Sequence, residues 1–502
     1  MSKRIFGLLA ILCLIAVAAV GCDRDSNGGA GDHPSGLEPY HIIWWMPDNF
    51  QNQHEIDLVA ERANEISMER YNATVEFRHI PVADYAERMN LITQAGEEFD
   101  VAFTSSWTVD FRMLAAREAV IPLQELINQH GQDMVRDFPD FLWDGVRFAG
   151  DIYAVPTYKD LGVPNAMLIN TVVAEYHGFD LSNVRRFEDM EPFFEIVQAA
   201  NADDPGFVVF TPGMPHNIAT YRTAPVELIL SGFPAVIRPD DPTLTVQNIF
   251  EVDEFLDYSL PLFRSWNERG FIRRDWLTAP EPDWPQQRWF AMTIRLPAYG
   301  EVRMGMIWGI PVDIIRFGHA ASYGTGRGYI TYDDIAASVM SISSTSADPA
   351  RAMMVLNMFN TDPEYKNIVI NGIEDRHFTR VSDNVVDRTD APYLWELNNW
   401  MWGNIFINYL YAADPPGLND AIRRETAEAY RSPLMGFAFD PDPVRTEIAA
   451  VNSVMAELRA PIWSGSVDPD VYVPIVNERL ERAGLDVVMA EMQRQIDAWR
   501  GN

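Results

Sequence analysis

The sequence predicts an α/β protein of two or more lobes, and three observations carry that expectation. Strands and amphipathic helices alternate as βαβαβ from His41 to Trp107, which demands a parallel sheet with right-handed crossovers. The alternation stops at a short strand closed by proline, Gly150 to Pro156, and restarts at Ala166. A chain of 502 residues with 47% apolar content is also longer than one core organises, and it has enough apolar material to fill more than one.

Each element has its own signal. His41 to Met46 reads as a strand, Ile56, Val59, Ala63 and Ile66 recur at helical spacing, and Val75 and Phe77 alternate with polar neighbours as a second strand. Tyr85, Met89 and Ile92 mark a helix stopped near Gly96. A third strand, Phe99 to Phe103, then runs into Thr104-Ser105-Ser106-Trp107. Ligand crevices in open α/β sheets lie beyond the carboxyl ends of the strands, so this hydroxyl-rich end is a candidate binding edge. Leu123 to Ile127 and Phe187 to Ala200 read as helices, Ala166 to Asn170 as a strand, and Asn201 to Pro242 as a loop-rich stretch. Phe250 to Gly270 is expected to be helical, and Ala291 to Ile294, Met304 to Ile310 and Ile335 to Ile342 are expected strands. Asp348 and Pro349 supply a cap and first residue for a helix from Ala350 to Asn360. The last hundred residues are mainly helical, with stripes at Ile448, Val451, Met455, Leu458 and at Val487, Met489, Met492, Ile496.

A net charge of −33 argues against nucleic-acid binding, which runs on clustered Lys and Arg; only three lysines occur, Lys3, Lys159 and Lys366. Lys3 and Arg4 precede an apolar run from Ile5 to Val20, shorter than a membrane span, which reads as a secretory signal peptide. Ala19-Val20-Gly21-Cys22 resembles a bacterial lipobox, departing at its first position, where Leu is usual. That likeness implies lipidation at Cys22 and accounts for the one cysteine left once Cys13 departs with the signal. A tether rich in Gly, Ser, Asn and Asp follows. Its Asp23 to Gly28 imitates the start of a calcium loop, but Pro34 stands where the bidentate Glu belongs, so no metal is expected.

Four segments together resemble the substrate-binding lipoproteins of bacterial ABC importers, family 1, the carbohydrate-type extracellular solute-binding proteins. They are Gly96 to Val101 with its hydroxyl-tryptophan end, Gly150 to Pro156, Ser343 to Met354, and Gly372 to Phe378. Gly436 to Trp499 resembles the C-terminal domain of a lipoprotein subgroup whose ligands are mostly unassigned. The resemblance implies a type II periplasmic-binding-protein fold, with two α/β lobes joined by a multi-strand hinge and helical additions at the C-terminus. It places the signal at 1–22, the tether at 23–38, one lobe at 39–156 and 333–388, and the other at 157–332 and 389–502. The chain would cross between lobes at Tyr153 to Pro156, near Tyr329 to Asp334, and near Asn384 to Pro392. It further implies a monomer held at the extracytoplasmic face of the membrane by its lipid, without a cofactor, passing a small solute, a sugar or oligosaccharide, to ABC permease subunits.

A pyranose has an apolar C–H face and a polar rim, so a sugar cleft needs an aromatic plane beside hydrogen-bonding groups. Trp107 with Thr104, Ser105 and Ser106 is the first candidate. Trp44 and Trp45 point to opposite faces of a strand, so one is expected in the core and one in the cleft. Tyr158 and Asp160, flanking Lys159, follow the first crossing. Tyr299 follows Ala291 to Ile294 and Pro297 in a pattern similar to the maltose-binding members of the family. Glu374 and His377 could share one face of a turn, as ligand contacts or as a structural pair. Trp395, Trp400 and Trp402 form an aromatic group in which Trp402 is the cleft candidate, and Phe439 and Arg445 align loosely with cleft groups of the family. A secreted glycoside hydrolase is the rival reading, because paired carboxylates cannot be discounted in so acidic a chain. Gly324 to Gly328 lacks the Lys-Ser of a P-loop and reads as a turn. A receptor feeding a membrane sensor kinase is the second rival.

Overall fold

The computed structural model describes residues 33–48, 52–212, 226–230, 232–276, 286, 288–317, 327–389 and 400–501. The signal peptide, Cys22, the tether as far as residue 32, Gly324 to Gly326 and Trp395 lie outside the described residues.

The expected alternation is present in the first lobe as β1 (Tyr40–Pro47), α1 (Gln53–Tyr71), β2 (Ala73–Ile80), α2 (Val82–Ala95) and β3 (Val101–Thr104). β1 lies between β2 and β3 and runs parallel to both. The Val339–Ile342 strand adds antiparallel to β3, and Val155–Pro156 closes the sheet. Asp100, at the mouth of β3, ties three segments together: its carboxylate accepts from Tyr40 Oη at 2.6 Å, the Ile43 amide at 2.9 Å and Ser346 Oγ at 2.5 Å. Asp348 accepts from the Arg351 amide and Pro349 opens the Pro349–Thr361 helix, as the motif requires.

Between this sheet and its helices lies an aromatic core in which the indole of Trp44 meets Phe77, Phe359 and Trp402 at centroid distances of 5.5, 5.2 and 6.3 Å. Lys366 is buried in the same layer. Its Nζ sits 3.9 Å from the Phe359 ring centroid and has no hydrogen-bond partner among the described residues.

The second lobe is built on a mixed sheet in the order Val312–Arg316, Asn165–Asn170, Trp289–Arg295, Val208–Thr211, with only the last two strands parallel. Met304 to Ile310, expected as a strand, is instead most of the helix Gly300–Trp308, and the strand follows at Val312. A short apolar run is ambiguous between helix and strand; here Gly309, at φ +67°, ends the helix and Trp308 packs edge-on against Trp289 at 5.6 Å. The helices Arg445–Trp463, Pro469–Arg482 and Leu485–Arg500 share a further core. Val451, Met455 and Leu458 are buried as expected. In the last helix the buried stripe is Leu485, Val488, Met492 and Ile496, while Val487 is exposed.

Three passages link the lobes. The first leads from Val155–Pro156 to Asn165, and the second reaches the short strand Tyr329–Ile330. The third runs through Tyr430–Arg431, which pairs parallel with Tyr329–Ile330. Of the expected crossing near Asn384 to Pro392, residues 390–392 lie outside the described residues. Val385–Arg388 pairs with Phe378–Ser382 and with Leu410–Tyr411, and residues 404–411 bond back to the first lobe: the Asn404 amide donates to Asn360 Oδ1, the Tyr409 amide to Asn367 Oδ1, and Tyr411 Oη to Asn371 Oδ1. The passages touch at glycines. A Cβ on Gly328 would stand 1.3 Å from the Gly162 carbonyl oxygen, and one on Gly162 would stand 2.3 Å from Ala429 Cβ.

Burial holds the Lys366 amine well below the usual lysine range, so the folded state keeps it neutral where the unfolded chain protonates it. Its folded pKa is depressed and the unfolded chain binds the extra proton, so stability rises with pH from the folded pKa towards 10.5. Lys366→Met removes an unsatisfied buried amine and is expected to stabilise the protein by about 1–3 kcal/mol at pH 7. In urea titrations the gain should shrink as pH approaches 10; a gain independent of pH would contradict the buried neutral amine.

Candidate functional site

The charged groups at the passages are paired across elements. Arg295, at the end of a second-lobe strand, donates through Nη1 to Asp334 at 2.9 Å and through Nε to the Val163 carbonyl at 3.2 Å. Asp334 belongs to the short helix Tyr332–Ala336 and accepts from Thr331, whose hydroxyl caps that helix in return. Burial works to raise the Asp334 carboxyl, but Arg295, the Thr331 amide and Lys159 outweigh it and hold it at about 2. Burial lowers Lys159 and raises its neighbour Asp160, each the partner of the other's charge.

The end of this short helix anchors an aromatic side chain, and the strand end that its Asp334 holds leads to another. Trp107 donates from Nε1 to the Ala337 carbonyl at 2.8 Å and the Ser106 amide donates to Ala336 O at 3.0 Å, which leaves the indole 42% exposed. Beside it, 6.1 Å between centroids, lies the half-buried ring of Trp400. On the other side, Arg295 leads through Pro297 and Ala298 to Tyr299, which is 38% exposed. Tyr299 holds φ at +62°, a conformation costly for a bulky residue and one that persists where its surroundings enforce it. Arg316 Nη2 donates to the Pro297 carbonyl at 3.0 Å, and the Ala298 amide donates to Glu425 at 2.8 Å.

Tyr299 opens onto a cavity of about 390 Å³ lined also by Arg316, Arg327, Arg424, Glu301, Glu425 and Glu428. Its cations and carboxylates balance, and an exposed phenol stands among them; such a wall offers donors and acceptors to hydroxyl groups and a flat face to a sugar ring. A larger hollow of about 680 Å³ is lined by second-lobe residues alone, at the Val312–Arg316 strand, and gathers none of the expected aromatics. Among the described residues no group of three His, Cys, Asp or Glu side chains is placed to hold a metal ion.

The comparisons with known proteins agree on one class. A family model described as a domain of unknown function (DUF3502) matches residues 433–501. A carbohydrate ABC transporter substrate-binding protein of Streptococcus pneumoniae serotype 4 is 27% identical to this chain, covering 100% of it and 99% of the relative. Among solved structures, the N-glycan transport solute-binding protein NgtS of Streptococcus pneumoniae is 26% identical with a TM-score of 0.80, over 93% of this chain and 100% of that one. Over nearly its whole length this chain is similar to solute-binding proteins of ABC importers. NgtS in complex with Man5GlcNAc is also similar, 25% identical at a TM-score of 0.74 over 92% of this chain and 98% of that one. The alginate-binding protein AlgQ2, 14% identical at a TM-score of 0.63 over 92% of this chain and 98% of that one, shares the fold.

Several of the residues expected as contacts lie in cores. Trp44 and Trp402 are fully buried against each other, so the strand's inward indole is Trp44; the outward one, Trp45, carries the Arg78 guanidinium 5.3 Å from its ring centroid. Thr104 and Ser105 are buried: Thr104 Oγ1 shares a hydrogen bond of 2.9 Å with Ser341 Oγ, and Ser105 Oγ accepts from the Trp107 amide. They shape the strand end rather than face a ligand, whereas Ser106 is half-buried. Tyr158 is half-buried between Phe138 and Phe406, at 5.5 and 4.5 Å. His377 is buried; it accepts the Ile373 amide at Nδ1 and donates from Nε2 to Glu55 at 2.9 Å, the structural pairing. Hydrogen bonds from Arg376 and then His377 hold the Glu55 carboxyl at about 2. Glu374 faces away and pairs with Arg380. Phe439 is buried in the C-terminal core, and Arg445 forms an exposed pair with Asp442. Sequence reading passed over Arg316 and Glu425, and it took Trp402 rather than Trp400 from the aromatic group as the cleft candidate. The two sit on a tight turn, where Trp400 is half-buried and Trp402 buried.

One buried carboxylate joins the passages. Glu227 of the second lobe accepts from Tyr329 Oη at 2.8 Å and from Ser432 Oγ at 2.7 Å, one residue on the second passage and one at the end of the third. Burial pushes its carboxyl up to about 7, against the pull of these hydrogen bonds, and Asp333 and Asp334 add to the rise. A carboxyl raised above its unfolded value of 4.5 contributes stability that is fully present below that value and lost as pH climbs through 7. Glu227→Gln, which mimics the protonated acid, should therefore gain stability over the parent progressively between pH 4.5 and 7 in denaturant titrations. A difference that stays constant across that range would refute the raised pKa.

Proposed function

We propose that this chain captures an oligosaccharide between its lobes and delivers it to the transmembrane subunits of an ABC importer. The observation that carries the reading is the pair of exposed aromatic faces, Trp107 and Tyr299, both anchored to the short helix of the second passage or to its ion pair. Trp107 spends its N–H on a backbone carbonyl, so its free surface is the π face, which suits the C–H face of a pyranose. The balanced arginines and carboxylates near Tyr299 suit the polar rim of an uncharged sugar. The relatives bear on the ligand: NgtS is known in complex with Man1GlcNAc and Man5GlcNAc.

On this reading the protein acts by binding alone, as the transport relatives do, and closure is a hinge motion about the three passages. The lobes are assigned with residues 400–411 on the first lobe's side. Cys22, lipidated after signal cleavage, would hold the protein at the extracytoplasmic face beside its permease. The binding unit is taken to be a monomer.

A calorimetric panel of neutral oligosaccharides, including mannose–N-acetylglucosamine types, tests this directly. At least one is expected to bind, and Trp107→Ala and Tyr299→Ala should each weaken it about tenfold, a loss of about 1.4 kcal/mol, with melting temperatures near the parent's. Release of cleaved sugar during the titration would instead make the protein a hydrolase.

A further inference from the structure

We infer that Glu425 is a positioning residue for ligand capture: it fastens the Pro297–Tyr299 turn to the helix Leu418–Glu428, so that a ligand seated on Tyr299 acts on the passages themselves. The inference rests on the reading of Tyr299 as a ligand contact.

The helix Leu418–Glu428 leads directly into the third passage, Tyr430–Arg431. It also touches the other two. Thr426 Oγ1 donates to the Leu161 carbonyl at 3.0 Å and accepts from the Leu161 amide, on the first passage. Arg327 Nε, beside the second passage, donates to the Glu428 carbonyl at 2.6 Å while its guanidinium lies 4.1 Å from the Tyr430 ring centroid. Its apolar side, Leu418 and Ile422, packs with Phe406 of the first lobe, with Tyr158 and with Ala298. One helix thus meets all three passages and the residue preceding Tyr299.

Glu425 makes the polar link. Its side chain is mostly buried, one oxygen accepting the Ala298 amide at 2.8 Å and the other 3.9 Å from Arg316 Nε. Arg316 in turn holds the Pro297 carbonyl and pairs with Glu301 at 3.1 Å. Beyond the turn, Arg303 pairs with buried Asp414 at 2.8 Å, just before the same helix. Tyr299 is therefore clasped on both sides by the segment 414–425, which explains how a bulky residue keeps φ at +62°. The backbone that carries Tyr299 is thus tied to the helix that leads into the hinge.

The test is a double-mutant cycle on the purified protein, titrated calorimetrically with the neutral oligosaccharide that binds the parent. Glu425→Ala is expected to weaken binding about tenfold in the parent and to add nothing in the Tyr299→Ala background. Glu425→Gln, which keeps an oxygen for the Ala298 amide, should stay within about threefold of the parent. Hydrogen exchange without ligand should show Ala298 to Gly300 losing protection in Glu425→Ala and retaining it in Glu425→Gln. Equal losses in both backgrounds, or unchanged protection at Ala298 to Gly300, would overturn the inference. If no oligosaccharide in the panel binds the parent, the carbohydrate reading fails, and the exchange result alone then decides whether Glu425 holds the turn.

Discussion

Three passages of backbone meet where side chains have been removed to let them touch, and the arrangement of both lobes depends on that contact. Gly328 lies so close to Gly162 that a single added carbon would overlap its carbonyl, and Gly162 in turn leaves room for Ala429. Gly162 is also at φ +66°, which an L side chain rarely adopts. The parallel pairing of Tyr329–Ile330 with Tyr430–Arg431 is built on this close approach. A bulkier residue at either glycine would separate the passages and with them the two aromatic faces.

Around the contact, charges are matched rather than left to solvent. Arg295 with Asp334 and Arg303 with Asp414 join elements distant in sequence, and Arg316 with Glu301 joins a strand to the helix before it. Pairs of this kind are costly to break one partner at a time, because the remaining charge is left desolvated. They fix geometry more than they add net stability. Glu227 is the exception, a buried carboxyl with hydroxyl partners and no cation bonded to it among the described residues, and its raised pKa follows from burial.

The alternation of β1 to β3 with two helices was legible because each segment carried a clear period and a stop, such as Gly96. The Asp348-Pro349 start was legible because capping is local. Met304 to Ile310 was misread because a continuous apolar run carries no period of its own. The pairing of Val385–Arg388 with Leu410–Tyr411 is a contact that no local signal announces. For the site, the sequence singled out Trp107 and Tyr299, which the structure leaves exposed, but also Trp44, Trp402, Thr104, Ser105, His377 and Phe439, which it buries. Residue type alone cannot separate these groups: the same hydroxyl or indole serves a strand end or a ligand, depending on what packs above it.

By itself the sequence determined the α/β class, the strand whose end carries Trp107, and the alternation that sends Trp44 and Trp45 to opposite faces. These follow from composition and from periods of two and 3.6 residues, which are properties of neighbours along the chain. Only the tertiary structure decided which indole is inward, that Trp400 accompanies Trp107, and that Glu425, 127 residues beyond Ala298, holds the turn carrying Tyr299. Those choices rest on contacts between distant segments and on the few ångströms allowed by glycine at the passages, and no local pattern records either.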